Sequence, residues 1–375
     1  MLNTLYSLVN QLYVNSFSYL CQKDYMLLNQ FDKRFPTEES CINYFLQIRI
    51  REGVACPRCK TTTHIWMESK HGFQCPKCGC RIPLTQGTVI EYSKLPMRMW
   101  FYTMHLMTSI KQVLAAKEVQ YQLAYPEYPP VWLMMMKLRS IMGKRDEMYK
   151  LSEEVEVDEA FFPIRTGELD EELKRGAGSQ KNMKVLVIVE SKPVDKVLIS
   201  YLTDTSGKSL GKSVRLAKRI PKNGIHKIVH YIKMYAIDNL SASTIDKLTK
   251  KGVEKDTIIV TDASSSHTNI KDYFKEHDAH VEKGNVDKVV KNKLPWVHVI
   301  IGRCRDGIAA IHREVDGRFL QLYLNEFCWK FNRRFFRDST EPEYDLFDRL
   351  VKISACYTSD VKWRDYELLD DNIDD

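Results

Sequence analysis

Two pairs of cysteines constrain the N-terminal third of this chain more than any other feature. Cys56-Pro-Arg-Cys59 is followed, after fifteen residues, by Cys75-Pro-Lys-Cys78. Two residues between thiols let one tight turn present both sulfurs to a tetrahedral ion. Fifteen are enough for a hairpin that brings the second turn opposite the first. The spacing predicts a zinc ribbon with Cys56, Cys59, Cys75 and Cys78 as ligands, and Cys80 stands close enough to exchange with Cys78. A group of buried free thiols is the competing reading. Five of the ten cysteines fall between Cys56 and Cys80, and no cationic segment precedes an apolar stretch at the N-terminus. That favours metal binding in a reducing compartment over disulfides, with a cytoplasmic, nucleoid-associated location as the expectation. Lys60, Lys70, His71, Lys77 and Arg81 around the cysteines tilt the ribbon toward nucleic acid, against the alternative of charged, solvated turns.

The chain is 375 residues long, which allows two or three domains and a sizeable core. Apolar residues at 44% and charged residues at 28% match a globular protein and exclude a membrane-embedded one. Five regions are expected: an N-terminal extension over 1–33, the ribbon with a leading helix over 34–92, a helical segment over 93–150, a core over 151–338 and an acidic tail over 339–375. The leading helix is capped around Thr37. In the core, strands are read at VEVDEAFF, 184–191, 196–203, 226–237 and 256–262, and helices near 243–251, 268–277, 295–312 and 317–337. The charged segment 164–182 is read as an exposed loop. Strands first and helices interleaved afterwards predict an α/β domain with a mixed sheet flanked by helices.

Between Ser109 and Met142, two helical patterns flank a proline-containing loop. They read either as a helix-turn-helix, with Lys137 and Arg139 on a DNA-facing second helix, or as a packed hairpin built on Trp132, Leu133, Met135, Met136 and Leu138.

Alternation in VEVDEAFF sends Val155 and Val157 to one face and Glu156 and Asp158 to the other. DTIIVTD places Asp262 where a second strand ends. A solvated acid is the ordinary reading of either alone, but two strand-borne aspartates in one α/β domain suggest a shared metal site. His298, in the first turn of a helix opened by Pro295, is a candidate third ligand, with Arg305 seven residues further along the same face.

Taken in order, the ribbon, Val157-Asp-Glu159, the VTD ending at Asp262, Pro295-Trp-Val-His298 and the stretch Leu320–Arg334 resemble insertion-sequence transposases of the ISXO type. These join an N-terminal zinc ribbon to a ribonuclease-H-like DDE/N core. The resemblance covers about residues 35 to 338. It implies a ribonuclease-H-like fold, cut-and-join chemistry on the double-stranded ends of a mobile element, Asp158 and Asp262 as ligands of magnesium or manganese, and a homo-oligomer in the synaptic complex. The third position departs from the family's usual Glu or Asn. Register against Arg305 assigns His298, and Glu326, with Arg333 at plus seven, is the alternative. A histidine ligand would shift metal preference toward Mn²⁺.

From Lys283 to Arg337 there are 12 Lys or Arg against 5 acids, a local excess of +7 equal to that of the whole chain. Arg305, Arg333 and Arg334 in this stretch, with Lys137 and Arg139, are the expected DNA contacts, and binding that weakens steeply with salt would follow. The Gly-Lys-Ser pairs near 207–213 lack the first glycine of a phosphate-binding loop, so nucleotide hydrolysis is rejected. Two rivals to a transposase remain at this stage: a zinc-ribbon DNA-binding protein with an inactive core, and a metal-dependent nuclease that cleaves without joining.

Overall fold

The computed structural model describes residues 26–165, 181–193, 227–262, 267, 269–280, 294–312, 314–333 and 345–370. The expected strand at 196–203 and residues 1–25 of the expected extension lie outside these. The described residues divide into two compact units: one comprises those within 149–309 and 314–338, the other those within 25–148, 310–313 and 339–375.

The second of these units begins with α1 (Leu28–Arg34) and α2 (Glu38–Glu52). Residues 28–33, expected as part of an extension, are helical because Phe31 gives them a fully buried anchor. Thr37 caps α2 by accepting from Ser40 N. Three short antiparallel strands follow, β1 (Ile65–Met67), β2 (Gly72–Gln74) and β3 (Arg81–Pro83). Then come α3 (Met97–Ser109), α4 (Ala116–Gln122) and α5 (Tyr128–Asp146). The carboxylate of Glu38 accepts from Met97 N and Arg98 N and so satisfies the open N-terminus of α3. In α5, Val131, Trp132, Met134, Met135, Met136, Leu138, Arg139, Ile141 and Met142 are all buried. A helix covered on nearly every side cannot lie in a DNA groove, so the packed reading of this segment holds and the DNA-reading one does not.

The other unit is built on β4 (Glu154–Arg165), β5 (Asn182–Pro193), β6 (Lys227–Ile237), α6 (Ala242–Gly252), β7 (Ile258–Asp262), β8 (Glu276–His280), α7 (Pro295–Ala309), β9 (Val315–Asp316) and α8 (Leu320–Asn332). The sheet order is β6-β5-β4-β7-β8, with β9 paired to β4 beyond this path. β4, β5 and β6 pair antiparallel, whereas β4–β7 and β7–β8 are parallel. The sheet is therefore mixed, as expected. Its α6 face buries Val155, Val157, Leu186, Ile188, Ile245 and Ile259 together, while α7 packs on β4 and β5, and α8 packs on β6.

Two expectations need correction. The helix expected at 268–277 does not form in its described residues, 269–277: a 3₁₀ turn at Ile270–Asp272 leads into β8. Ile270 is a buried anchor there, and the polar EHDAH run then pairs with β7. Nor is 339–375 a tail throughout, because α9 (Leu346–Cys356) and α10 (Trp363–Asp370) form within it. Phe347, Leu350, Val351 and Ile353 of α9 are buried against α2, α3 and α5. No helix among the described residues is long and apolar enough to cross a membrane.

Candidate metal centre and active site

Register brings the two aspartates together. β4 and β7 run parallel with Val157 opposite Thr261, so the next step along each strand sets Asp158 beside Asp262 on one face. Burial pushes the Asp158 carboxyl up to about 7, and the neighbouring Glu159 and Asp262 carboxylates add to it. The backbone N–H of Glu159 donates to Asp158 Oδ1 at 2.8 Å and partly offsets the rise.

Glu156 fixes the third element. It lies two residues before Asp158 on the same face and is almost wholly buried. Its Oε2 accepts from Trp296 N at 2.9 Å and Val297 N at 2.8 Å, two amides of the first turn of α7. A carboxylate there satisfies two orphan donors and complements the helix dipole. The next residue along α7 is His298, whose Nδ1 stands 3.6 Å from Asp158 Oδ2. Glu326 is placed elsewhere. It is fully buried on α8, which packs on β6, and its Oε1 accepts a 2.6 Å hydrogen bond from Lys330 Nζ.

Two residues that sequence reasoning passed over join the aspartates. Glu159, Asp262 and His267 each offer a ligand atom within 4.8 Å of the others. His267 Nε2 is 3.4 Å from both Glu159 Oε1 and Asp262 Oδ1. Burial disfavours charge on the His267 ring, yet the Asp262 and Glu159 carboxylates raise it to about 9. Strict alternation assigns Glu159 to the face opposite Asp158, and the polar stretch after Asp262 carries no periodicity that would single out His267. The adjacency of Asp and Glu in VDE was the one available signal.

The four ribbon cysteines converge as well. Sγ–Sγ distances are 3.5 Å for Cys56–Cys78 and 3.4 Å for Cys59–Cys75, and all four sulfurs lie within 4.8 Å of one another. A tetrahedral ion with metal–sulfur bonds of roughly 2.3 Å needs edges of about 3.8 Å, so the set fits one with small adjustments. The two turns match: Lys60 N donates to Cys56 O and Gly79 N to Cys75 O, and both fifth residues have positive φ, 61° and 67°. Gly79 takes that conformation freely, whereas Lys60 does so at a steric cost. Backbone N–H groups of Cys59 and Arg58 lower the Cys56 thiol to about 6, which favours the thiolate a metal binds.

The residues expected to contact DNA divide differently. Arg305, on α7, has its guanidinium 5.5 Å from the centroid of the Phe162 ring. Lys137 is half-buried, and burial lowers its ammonium. Arg139 is fully buried and donates to Leu114 O at 2.8 Å, and Arg333 is buried, stacks 4.5 Å from the Trp329 ring and donates to Trp329 O. Both serve packing, because a guanidinium spent on the interior cannot reach phosphate. Arg334 lies outside the described residues.

Residues 150–332 match a family model described as an ISXO2-like transposase domain. The chain is also similar to an uncharacterized protein in transposable element ISH50 of Halobacterium salinarum, at 36% identity over 100 residues, 25% of this chain and 34% of that protein. The match thus spans about a third of that relative's length.

Proposed function

We propose that the chain, whose residues 150–332 match an ISXO2-like transposase domain, is an insertion-sequence transposase that cuts and joins DNA at the ends of its element through a site built from Asp158, Asp262 and His298. The observation that carries this reading is the β4–β7 register, which puts two carboxylates side by side at the sheet while Glu156 aims the start of α7, and so His298, at Asp158. A mixed sheet flanked by helices supports a ribonuclease-H-like core.

The donor set suits divalent cations. Three carboxylates (Asp158, Glu159 and Asp262) crowd one end of the sheet, and Asp158 is raised by burial first and by its two acidic neighbours in addition. Magnesium or manganese bound there would activate an attacking water or 3′-hydroxyl and stabilise the departing oxygen. Asp158 and Asp262 hold position because their strands are buried on both sides: Val157 and Thr261 are enclosed on one face, and Glu156 and Val260 on the other. The Glu156–α7 cap keeps the His298 imidazole from drifting away from Asp158. In the ribbon, Cys56, Cys59, Cys75 and Cys78 hold zinc in a purely structural role, fixing a small module that engages double-stranded element ends. Arg305 is the described residue of the basic stretch best placed to meet the phosphate backbone, since it stands two turns along α7 from His298.

The test is a pair of assays, cleavage of uncut ends and strand transfer from pre-cut ends, with Asp158→Asn and Asp262→Asn. Loss of both cleavage and joining, by about a thousandfold or more, with end binding intact is the expected result. Unchanged transfer would leave a DNA-binding protein with an inert core, and cleavage without joining would leave a nuclease.

A further inference from the structure

We propose that Glu159, Asp262 and His267 form a cation site of their own beside Asp158 and His298, one that takes a borderline divalent ion such as Mn²⁺ through an imidazole nitrogen. This rests on the active-site reading only in sharing Asp262.

Geometry carries the inference. His267 is 1% exposed, and neither of its ring nitrogens completes a hydrogen bond among the described residues. A buried imidazole in that condition is costly unless something claims its lone pair. Its Nε2 points at two carboxylate oxygens, 3.4 Å from each, a separation too long for a good hydrogen bond to either. An ion with bonds of roughly 2.1 Å to three such donors would need them about 3 Å apart, so small side-chain movements close the set. Glu159 reaches it from β4 and Asp262 from the end of β7, two strands already locked in register.

The ring could instead serve as a protonated partner for the two carboxylates, whose pull already raises it to about 9. The same field favours a divalent ion over a proton once such an ion is present, because binding through Nε2 leaves two formal charges facing Glu159 and Asp262 instead of one. Imidazole sets the preference: hard oxygen donors alone suit Mg²⁺, while a nitrogen donor shifts affinity toward Mn²⁺ and later ions. On this assignment the acidic end of the sheet holds two half-sites, Asp158 with His298 and Glu159 with His267, and Asp262 stands between them.

Mn²⁺ titration of the zinc-loaded full chain without DNA, followed by electron paramagnetic resonance, tests this. Zinc loading keeps the cysteine set out of the count. The wild type should bind Mn²⁺ with nitrogen coupling. His267→Ala should weaken that binding by roughly tenfold or more and remove one nitrogen coupling that His298→Ala leaves in place. His267→Gln keeps bulk and a polar tip, and it replaces the alanine variant if the latter melts early. Wild-type stoichiometry and affinity in a folded His267 variant would overturn the proposal and leave the ring as an ion-paired imidazolium. The two readings fail separately. Full strand transfer by Asp158→Asn would sink the active-site reading while a His267-dependent Mn²⁺ signal still stood, and the converse pattern would sink only this one.

Discussion

Glu156 shows how a single buried acid on a strand can do structural work for a site it does not belong to. Alternation placed it correctly on the face of Asp158, but nothing in VEVDEAFF says that its partner is a helix start some 140 residues later. Only the fold reveals that Trp296 N and Val297 N meet its Oε2. Glu156→Gln keeps the shape but loses the charge that complements the α7 dipole, and Glu156→Ala also strands two amides. We expect losses of about 1 kcal/mol and about 2–3 kcal/mol respectively in urea unfolding. Weaker Mn²⁺ binding should accompany them if α7 positions His298. A second buried acid gives a pH prediction. Glu190 accepts from Ser152 N, Ser152 Oγ and His230 Nδ1, with Lys192 Nζ at 3.6 Å. Burial would raise its pKa, but the His230 and Lys192 partners and the Ser152 donor more than offset that and hold it below the usual 4.5. A carboxyl lowered on folding contributes stability that is complete above the unfolded pKa and lost as pH falls through the folded one. The urea midpoint of the wild type should therefore drop between about pH 5 and pH 3 more than that of Glu190→Gln. Equal slopes would mean that the partners do not stabilise the charged form.

Among the elements, α8 shows why a motif can be read and its work still missed. The stretch Leu320–Arg334 helped identify the family resemblance, but its polar residues were weighed as candidate ligands and DNA contacts. In the fold, α8 covers β6, which ends the sheet order among the described residues. Gln321 accepts from Ala236 N and donates to Met234 O, and Asn332 accepts from Ile232 N and donates to Ile232 O. Each amide imitates a further strand at one point, and Asn332 also donates to Tyr149 Oη. Asn332→Ala should cost about 2–3 kcal/mol, because it leaves a buried donor and acceptor without partners. Hydrogen exchange at Ile232 gives the local readout, and an unaltered rate in the alanine variant would rule out the edge-capping role. β4, β5, β6 and β7 were legible because buried sheet strands leave apolar runs or alternation. β8 was not, since EHDAH is polar and is specified only by its parallel partner β7.

For the whole molecule, charge at the C-terminus misled where packing would have informed. The acid-rich final residues suggested solvation, but the chain first returns through α9 to complete the unit that holds the ribbon. Phe347 enters an aromatic cluster with ring centroids 5.9 Å from Phe31, 5.4 Å from Phe35 and 5.7 Å from Phe101, and it is almost fully buried. Asp348 is held by Arg34 Nη2 at 2.8 Å and by the Tyr44 hydroxyl at 2.6 Å, so α9 is tied to α1 and α2 by both apolar and ionic contacts. No local pattern could have announced this, since the partners lie some 300 residues apart in sequence. Ending the chain at residue 345 should therefore destabilise the helical unit, because Phe31, Phe35 and Phe101 would lose a packed ring at about 3–5 kcal/mol for that side chain alone. Asp348→Asn should lose far less. Limited proteolysis separates the two ideas: rapid cleavage within residues 26–148 of the truncated chain is expected, with fragments of the 149–333 sheet surviving longer. Equal resistance of truncated and full-length chains would restore the reading of this segment as a solvated tail.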